Sequence, residues 1–333
     1  MKLLSVIGTR PQYVKIKPFV DFCKTQKYLV HVVLDTRQHF SNNVSDSIIA
    51  DLDLQIDFYL DIQNRDELCF MRDAISGIYE YVKIIRPDAM LVYGDTNSTF
   101  CAALVAYKLG IPLAHVEAGM RCGDVSVPEE INRVFVDLTA KWKFCSTREA
   151  VLNVTNGVFC GDLEYEYLNR INPEVTLGDF AVMTIHRQEN ISKTKLQQIL
   201  DLCSQVPHEV RYYTHHRAKS ILSQCNISKN VISLDPITHS TMIEALSRCR
   251  YILTDSGGIQ KVAPFFGKGA LVVRSSPEWK DLFSSGYAHL ATFTDEDVKW
   301  LEQSIYLERS PRWYMSPRAS PSQIIYGTIC QGK

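Results

Sequence analysis

Acids, cations and a pair of glycines fall at a few points of this chain, spaced as a proton-transfer site beside an anion site would need. The run VEAGMRCGDVSVPEEINR, from Val116 to Arg133, puts Glu117 straight after an apolar stretch and Glu129 and Glu130 just behind Pro128. A lone carboxylate at the end of a buried strand is costly unless it is paired or faces a site. Glu117 is therefore either neutralised by Arg121 or Arg133, or it does chemistry. Pro128 suits a first helical turn, and acids there complement the helix dipole. That accounts for Glu130 as well as a site does, whereas loop 121–127 would fold Glu129 back over a cleft. The chemical reading joins Asp95, from VYGDTNST, to Glu117 and Glu129 as a carboxylate cluster. Mutual repulsion and burial would raise some of its pKa values, which suits proton transfer from carbon or to a leaving group.

Cationic and hydrogen-bonding groups gather at similar points. Arg10 and Lys15 flank a helix start in GTRPQYVK, Gln38 and His39 lie in DTRQHF, and His186 and Arg187 open HRQEN. His215 follows VRYYT, and Ser256, Gly257 and Gly258 lie in TDSGGIQ. Ser256 can cap the next helix, and the glycines admit a ligand close to the backbone. A plain capped helix explains that segment alone. Opposite Arg10 and Lys15, its free amides and dipole read as a diphosphate site. His186 and His215 are each open to a core reading, but the grouping of His186, Arg187 and Glu189 favours function. No His/Asp/Glu set has the spacing of a metal-ligand motif, so no metal is expected. There is no G-x-G-x-x-G after the first strand and no P-loop, so no dinucleotide cofactor is expected either.

These residues follow strand-like runs. LLSVI, VHVVL, AMLVY, PLAHV, KFC and GVFC in the first half alternate with helical spacings such as Pro11–Cys23 and Asp66–Ile85. AVMTI, VRYYT, VISL, YILTD and ALVVR repeat the alternation, with helical segments after Ser192, Arg217, Ser240 and Gly257. Continuous apolar strands separated by helices predict parallel sheets covered on both faces. The fold class is α/β, with two Rossmann-like doubly wound domains facing a cleft and ligands beyond the carboxyl ends of the strands. The expected domains are 1–168, carrying the carboxylates, and 169–308, with 169–179 as linker; the tail 309–333 crosses back to the first.

Bulk properties agree with a soluble globular protein. The 333 residues are 46% hydrophobic and 22% charged, with net charge −1, which gives no global electrostatic case for nucleic acid or an anionic membrane. No apolar run reaches membrane-spanning length, and the amino terminus has no signal-peptide pattern. The ten cysteines are scattered without C-x-x-C spacing, which reads as a reducing, cytoplasmic setting without disulfides.

With these motifs in hand, the chain resembles the UDP-N-acetylglucosamine 2-epimerase family, whose GT-B-like fold is shared with many nucleotide-sugar glycosyltransferases. The matching segments are GTRPQYVK, QHF, VYGDTNST, HVEAGMR, VPEEINR, Gly161-Asp162, HRQEN and TDSGGIQK, in that order. The resemblance implies inversion at C2 of a UDP-N-acetylhexosamine through elimination of UDP to a glycal and re-addition. It implies Asp95, Glu117 and Glu129 as acid/base groups and His186 as helper of the departing diphosphate. Arg10, Lys15, Ser256, Gly257 and Gly258 would bind that diphosphate, with Arg133 and His215 nearby. Gln38, His39, Arg187, Met242 and Glu278 complete the implied UDP-sugar contacts. Met242 stands near the position of the residue that packs on uracil, and Glu278 ends RSSPE, where the family reads R-D-x-T-E. No cofactor or metal is implied, and a homodimer is. Lys261 and Val262 replace the usual pair after SGGIQ, where the second acid holds the ribose. Ser41 aligns with part of a regulatory site in some bacterial members, so a hyperbolic rate curve is expected. Gln12, HRQEN, SGGIQK and PEW look more like the branch acting on modified UDP-HexNAc sugars. A hydrolysing 2-epimerase and a non-catalytic nucleotide-sugar-binding protein are the alternatives.

Overall fold

Apolar residues at both odd and even positions of a strand require cover on both of its faces. In the first strand, β1 (Lys2–Ile7), Leu3 and Ile7 enter one buried cluster while Leu4 and Val6 enter another. The same split runs through β4 (Ala89–Tyr93), with Ala89, Leu91 and Tyr93 on one side and Met90 and Val92 on the other. Burying each such side chain contributes about 1.5–3 kcal/mol, which fixes these strands at the centre of a sheet. A computed structural model describes residues 1–38, 42–63, 66–276 and 279–332, with the backbone alone at 42–44 and 216. His39, Ser41 and Glu278 lie outside the described residues.

The chain divides into two compact units, Met1–Ile171 with Tyr314–Lys333, and Asn172–Trp313. The first adds β2 (Val30–Asp35), β3 (Phe58–Tyr59), β5 (Leu113–Val116), β6 (Trp142–Cys145) and β7 (Gly157–Phe159) to β1 and β4. Its sheet runs β3-β2-β1-β4-β5-β6-β7, and every neighbouring pair is parallel. The second contains β8 (Phe180–Thr184), β9 (Glu209–Tyr213), β10 (Val231–Leu234), β11 (Ile252–Thr254), β12 (Ala270–Val272) and β13 (Ala288–Leu290). Its order is β10-β9-β8-β11-β12-β13, again parallel throughout. Each sheet reverses its winding once, between β1 and β4 in the first unit and between β8 and β11 in the second. Ligands of doubly wound sheets bind beyond the strand ends at such a switch point. Both units are Rossmann-like, as the strand and helix alternation predicts.

Two local features differ from the sequence reading, and a third fills in the tail. β3 and β13 are two and three residues long, too short to carry a periodic signal. The helix Leu163–Ile171 runs into the expected linker, where Asn169 returns its side-chain amide to the Tyr165 carbonyl at 2.8 Å. The open segment is therefore 172–179. The tail forms a helix, Pro321–Gln331, whose Ser320 and Gln323 make a reciprocal capping box. Ser322 anchors this helix by donating from its backbone N–H and hydroxyl to buried Glu166, both at 2.8 Å.

Candidate active site

The turn after β1 is Gly8, and only glycine fits there, since a Cβ would stand 2.1 Å from Thr36 Oγ1 and 2.4 Å from Ser98 Oγ. Buried Gln12, in the helix Arg10–Lys24, ties this turn to the end of β4. Its Oε1 accepts the N–H groups of Gly8 (2.8 Å) and Thr9 (3.1 Å), and its Nε2 donates to the Tyr93 carbonyl at 2.6 Å. Gln38 joins the end of β2 to the same place. Its Oε1 accepts from the Ser98 N–H (3.0 Å) and hydroxyl (2.7 Å) at the start of the helix Asn97–Leu109. The strand ends flanking the first switch point are thus cross-linked by side-chain amides.

Asp95 and Glu117 follow the neighbouring strands β4 and β5, and a Cβ at Gly94 would stand 3.2 Å from Glu117 Oε2. Each carboxylate has a cation. Lys15 pairs with Glu117, and Arg133 pairs with Asp95. Arg121 and Arg133, offered by the sequence as counter-ions for Glu117, are engaged by Asp137 and by Asp95 with Glu130. The local electrostatics are those of ion pairs rather than of a bare carboxylate cluster. Glu117 adopts φ +70°, in the left-handed region that a residue with a Cβ enters only under constraint from its surroundings.

One helix, Pro128–Thr139, organises these groups. Asn132 Nδ2 donates to the Asp95 carbonyl at 2.9 Å, and Arg133 reaches the Asp95 carboxylate. Glu130 is buried and accepts the N–H groups of Cys122 (3.0 Å) and Gly123 (3.2 Å) and the Arg133 guanidinium (3.1 Å). Burial alone would raise its carboxyl; those donors outweigh burial and hold it below the usual value. Glu129, one residue away on the helix, is exposed. The adjacent acids therefore divide the work: Glu130 folds loop 121–127 onto the helix start, and Glu129 remains at the surface.

The second switch point is built around an inward-facing acid. Asp255, after β11, is fully buried. It accepts the backbone N–H of His186 (3.1 Å) and Arg187 (2.9 Å) and the Asn190 amide (3.0 Å), and it pairs with His186 Nδ1 at 2.8 Å. Burial by itself would raise this carboxyl, but the His186 contact, the Asn190 amide and the Arg187 N–H hold it below the ordinary range. The His186 ring stays 44% exposed, and its centroid lies 6.3 Å from that of His215. His215 caps the short helix His216–Leu222 through Nδ1, which accepts the Arg217 N–H at 3.4 Å. Ser256 occupies the cap position of the helix Gly257–Phe266 but makes no side-chain cap hydrogen bond, contrary to the sequence reading. The Ser256 N–H donates instead to Thr254 Oγ1 at 3.0 Å. Among the described residues, no atom lies within 4 Å of where a Cβ would stand at Gly258. The amides and dipole at this helix start suit an anion. Met242 is half-buried on the helix His239–Arg248. Val262 is buried at 2% exposure; buried Lys261 carries its ammonium 5.8 Å from the Trp279 ring centre.

The structure thus gathers Arg10, Lys15, Gln38, Asp95, Glu117 and Arg133 about one switch point, and His186, Arg187, Ser256, Gly257 and Gly258 about the other. Gln12, Asn132, Asp137 and Asn190 support them and were not singled out as site residues. Their signal was faint: Gln12, Asn132 and Asp137 are polar residues at helix positions that otherwise read as core-facing, and Asn190 ends the short turn after β8. Among the described residues, no group of three His, Cys, Asp or Glu side chains could hold a metal ion, and no helix is long and apolar enough to cross a membrane.

The family model for UDP-N-acetylglucosamine 2-epimerase matches residues 22–319. A UDP-2,3-diacetamido-2,3-dideoxy-D-glucuronate 2-epimerase from Pseudomonas aeruginosa is 33% identical, over 86% of this chain and 87% of its own. Two solved structures align at 25% identity over 99% of this chain and 100% of theirs. One is the UDP-GlcNAc 2-epimerase of Methanocaldococcus jannaschii in complex with UDP-GlcNAc and UDP, with a TM-score of 0.85. The other is that of Neisseria meningitidis bound to UDP-GlcNAc, with a TM-score of 0.84.

Proposed function

This chain belongs to the UDP-N-acetylglucosamine 2-epimerase family, and from that premise we propose how its residues carry out the reaction. The protein is an isomerase that inverts C2 of a UDP-N-acetylhexosamine without net hydrolysis. A carboxylate takes the proton from C2, and the C2–H electrons form the C1=C2 double bond of a glycal. The C1–O bond breaks with its electron pair on the diphosphate of UDP. Re-addition of UDP at C1, with a proton delivered to the opposite face of C2, gives the epimer. Two faces must exchange protons, so two carboxyl groups are needed. Asp95 and Glu117 take these roles, with exposed Glu129 as the third candidate.

The observation that carries this reading is the pairing of Asp95 and Glu117 at adjacent strand ends, each beside its own cation. A carboxylate beside a single cation and open in part to solvent can take up and release a proton. The leaving diphosphate needs preorganised positive potential, which within the second unit the open backbone at Gly257 and Gly258 and the His186 imidazole would supply; Arg10 and Lys15 are the diphosphate-binding candidates of the first unit. Arg187, His215 and Met242 are assigned to UDP contact. Substrates of the modified branch, such as a diacetamido uronate, are favoured by the 33% identity to the Pseudomonas aeruginosa enzyme of that kind. The chain works in the cytoplasm as a homodimer. An exposed stripe of Ile131, Val134 and Leu138 on the helix Pro128–Thr139 supports self-association, which sedimentation would register as a dimer rather than a monomer.

Incubation with UDP-GlcNAc and with the diacetamido uronate in heavy water tests the reaction. Solvent deuterium at C2 of a recovered UDP-sugar, with the C2 epimer and no accumulating free UDP, is the expected result. Stoichiometric release of UDP would instead mark a hydrolysing enzyme. Absence of deuterium at C2 from both sugars would remove the epimerase reading.

A further inference from the structure

Behind the two carboxylates lies a buried pair that the reaction as described does not use. His115, on β5 and two residues before Glu117, is fully buried. Its Nδ1 lies 2.7 Å from Asp137 Oδ1 and its Nε2 lies 2.8 Å from the Gly94 carbonyl oxygen. A neutral imidazole has one donor nitrogen and one acceptor nitrogen. Here both nitrogens face acceptors, and a carbonyl can only accept. A neutral ring would satisfy both contacts only if Asp137 were protonated and donated to Nδ1. The second carboxylate oxygen opposes that arrangement, since Oδ2 accepts the Gly119 N–H at 3.0 Å and pairs with Arg121 at 2.7 Å. Burial alone would raise the Asp137 carboxyl, yet its contacts with His115, Arg121 and the Gly119 N–H hold it below the usual value.

We propose that His115 is a buried imidazolium donating from both ring nitrogens, and that with Asp137 it positions the acid/base carboxylates. Its Nε2–H holds the carbonyl of Gly94, the residue that turns the chain into Asp95. Asp137 holds the N–H of Gly119, two residues past Glu117, and the guanidinium of Arg121. Gly94 and Gly119 adopt φ +65° and +79°, and Glu117 between the two contacts adopts φ +70°. A residue with a Cβ in that region costs on the order of 1–3 kcal/mol and persists where its surroundings over-determine it. The His115–Asp137 pair supplies that constraint, with Nε2 on the turn after β4 and Nδ1 reaching the turn after β5 through Asp137. The charged or titratable groups around it are Asp137 and Arg121, Glu117 and Asp95 beyond the turns, and, on β6, Lys143 in register with His115 and the Cys145 thiol. Burial first, and Asp137 second, push that thiol up to about 12, so it stays neutral. The cluster of His115, Asp137 and Arg121 then carries two cations and one anion.

The positioning half of this proposal rests on the epimerase reading, while the imidazolium half does not, and the tests separate them. Wild-type full-length protein labelled with 15N-histidine is observed by NMR at pH 8, where an exposed imidazole is neutral. Both His115 ring nitrogens are expected to be bonded to hydrogen, with the signals assigned by their loss in His115→Gln. One bare ring nitrogen in the wild type would overturn the imidazolium. Asp137→Asn is expected to return His115 to a single ring proton; retention of both would remove Asp137 as its partner. In turnover, His115→Gln and Asp137→Asn are expected to lower kcat about tenfold to hundredfold, with KM and UDP affinity within about twofold. An unchanged kcat in either folded variant, or a rise in KM alone, would end the positioning role. A wild type that shows both ring protons but places no deuterium at C2 would overturn the reaction and the positioning role together, leaving the imidazolium standing.

Discussion

Asp95 and Asp255 follow β4 and β11, strands that hold the same place beside the switch point of their two sheets, yet the side chains are used in opposite senses. Asp95 is 30% exposed and meets one cation, Arg133. Asp255 is sealed and spent entirely on internal donors, His186, the Arg187 N–H and Asn190. The first position offers a carboxyl group that can exchange a proton. The second uses a carboxyl group as a bracket that aligns two chain segments and leaves backbone amides at Gly257 and Gly258 facing outward. Fold position therefore does not determine use. The count of donors aimed at the acid does, because a carboxylate surrounded by fixed donors has no reason to take up a proton.

The sharpest test of this contrast is Asp95→Asn. Turnover is expected to fall about 10²- to 10⁴-fold, with the thermal midpoint nearly unchanged, because a part-exposed ion pair is worth about 1 kcal/mol or less. Kinetics and calorimetry on one sample check both halves, and near-wild-type turnover would remove Asp95 from the acid/base pair. Asp255→Asn should differ by costing stability as well as function. Breaking a buried, charge-paired carboxylate costs about 3–5 kcal/mol, and UDP affinity should fall with it. Denaturant melts across pH add the sign. A depressed carboxyl stabilises fully above its unfolded value near 4 and loses that contribution as pH falls through its lower folded value. The acid limb of the wild-type stability curve should therefore be shallower in Asp255→Asn.

The smallest effect separates burial from donor supply. Asp35, at the end of β2, is as buried as Asp255 but is held by fewer contacts, the Tyr13 hydroxyl at 2.9 Å and the Arg37 N–H at 2.7 Å among them. Burial outweighs these and pushes its carboxyl up to about 6. A raised acid binds its proton more tightly when folded, so stability is lost as pH rises from about 4 to about 6 and stays reduced above that. Asp35→Asn should remove this decline and gain about 2 kcal/mol at pH 8 relative to pH 4. A decline equal to that of the wild type would mean that donor supply does not distinguish the two aspartates.

Much of this was legible in the chain. The apolar runs at β1, β4, β8 and β11 reveal their double-sided burial, and the polar residues immediately after them mark the strand ends. Asp95 and Glu117 are found by that rule alone. What failed to show was partnership. Lys15 is 102 residues from Glu117, and Arg133 is 38 from Asp95; the sequence offered Glu117 the nearer arginines instead. The sequence reading expected loop 121–127 to fold Glu129 inward, whereas the loop folds onto Glu130 and leaves Glu129 exposed. His115 sits inside an apolar strand, where one polar residue gives no hint that Gly94 and Asp137 will meet its two nitrogens.

The order of residues by itself determined the alternation of strands and helices, the family and the addresses of the candidate site residues, because hydrophobic period and strand-end chemistry are local. The tertiary structure alone decided which cation answers which acid, which acids turn inward, and which backbone turns are held in the left-handed region. Those outcomes depend on distances between segments far apart in the chain, and a short-range pattern carries no information about them.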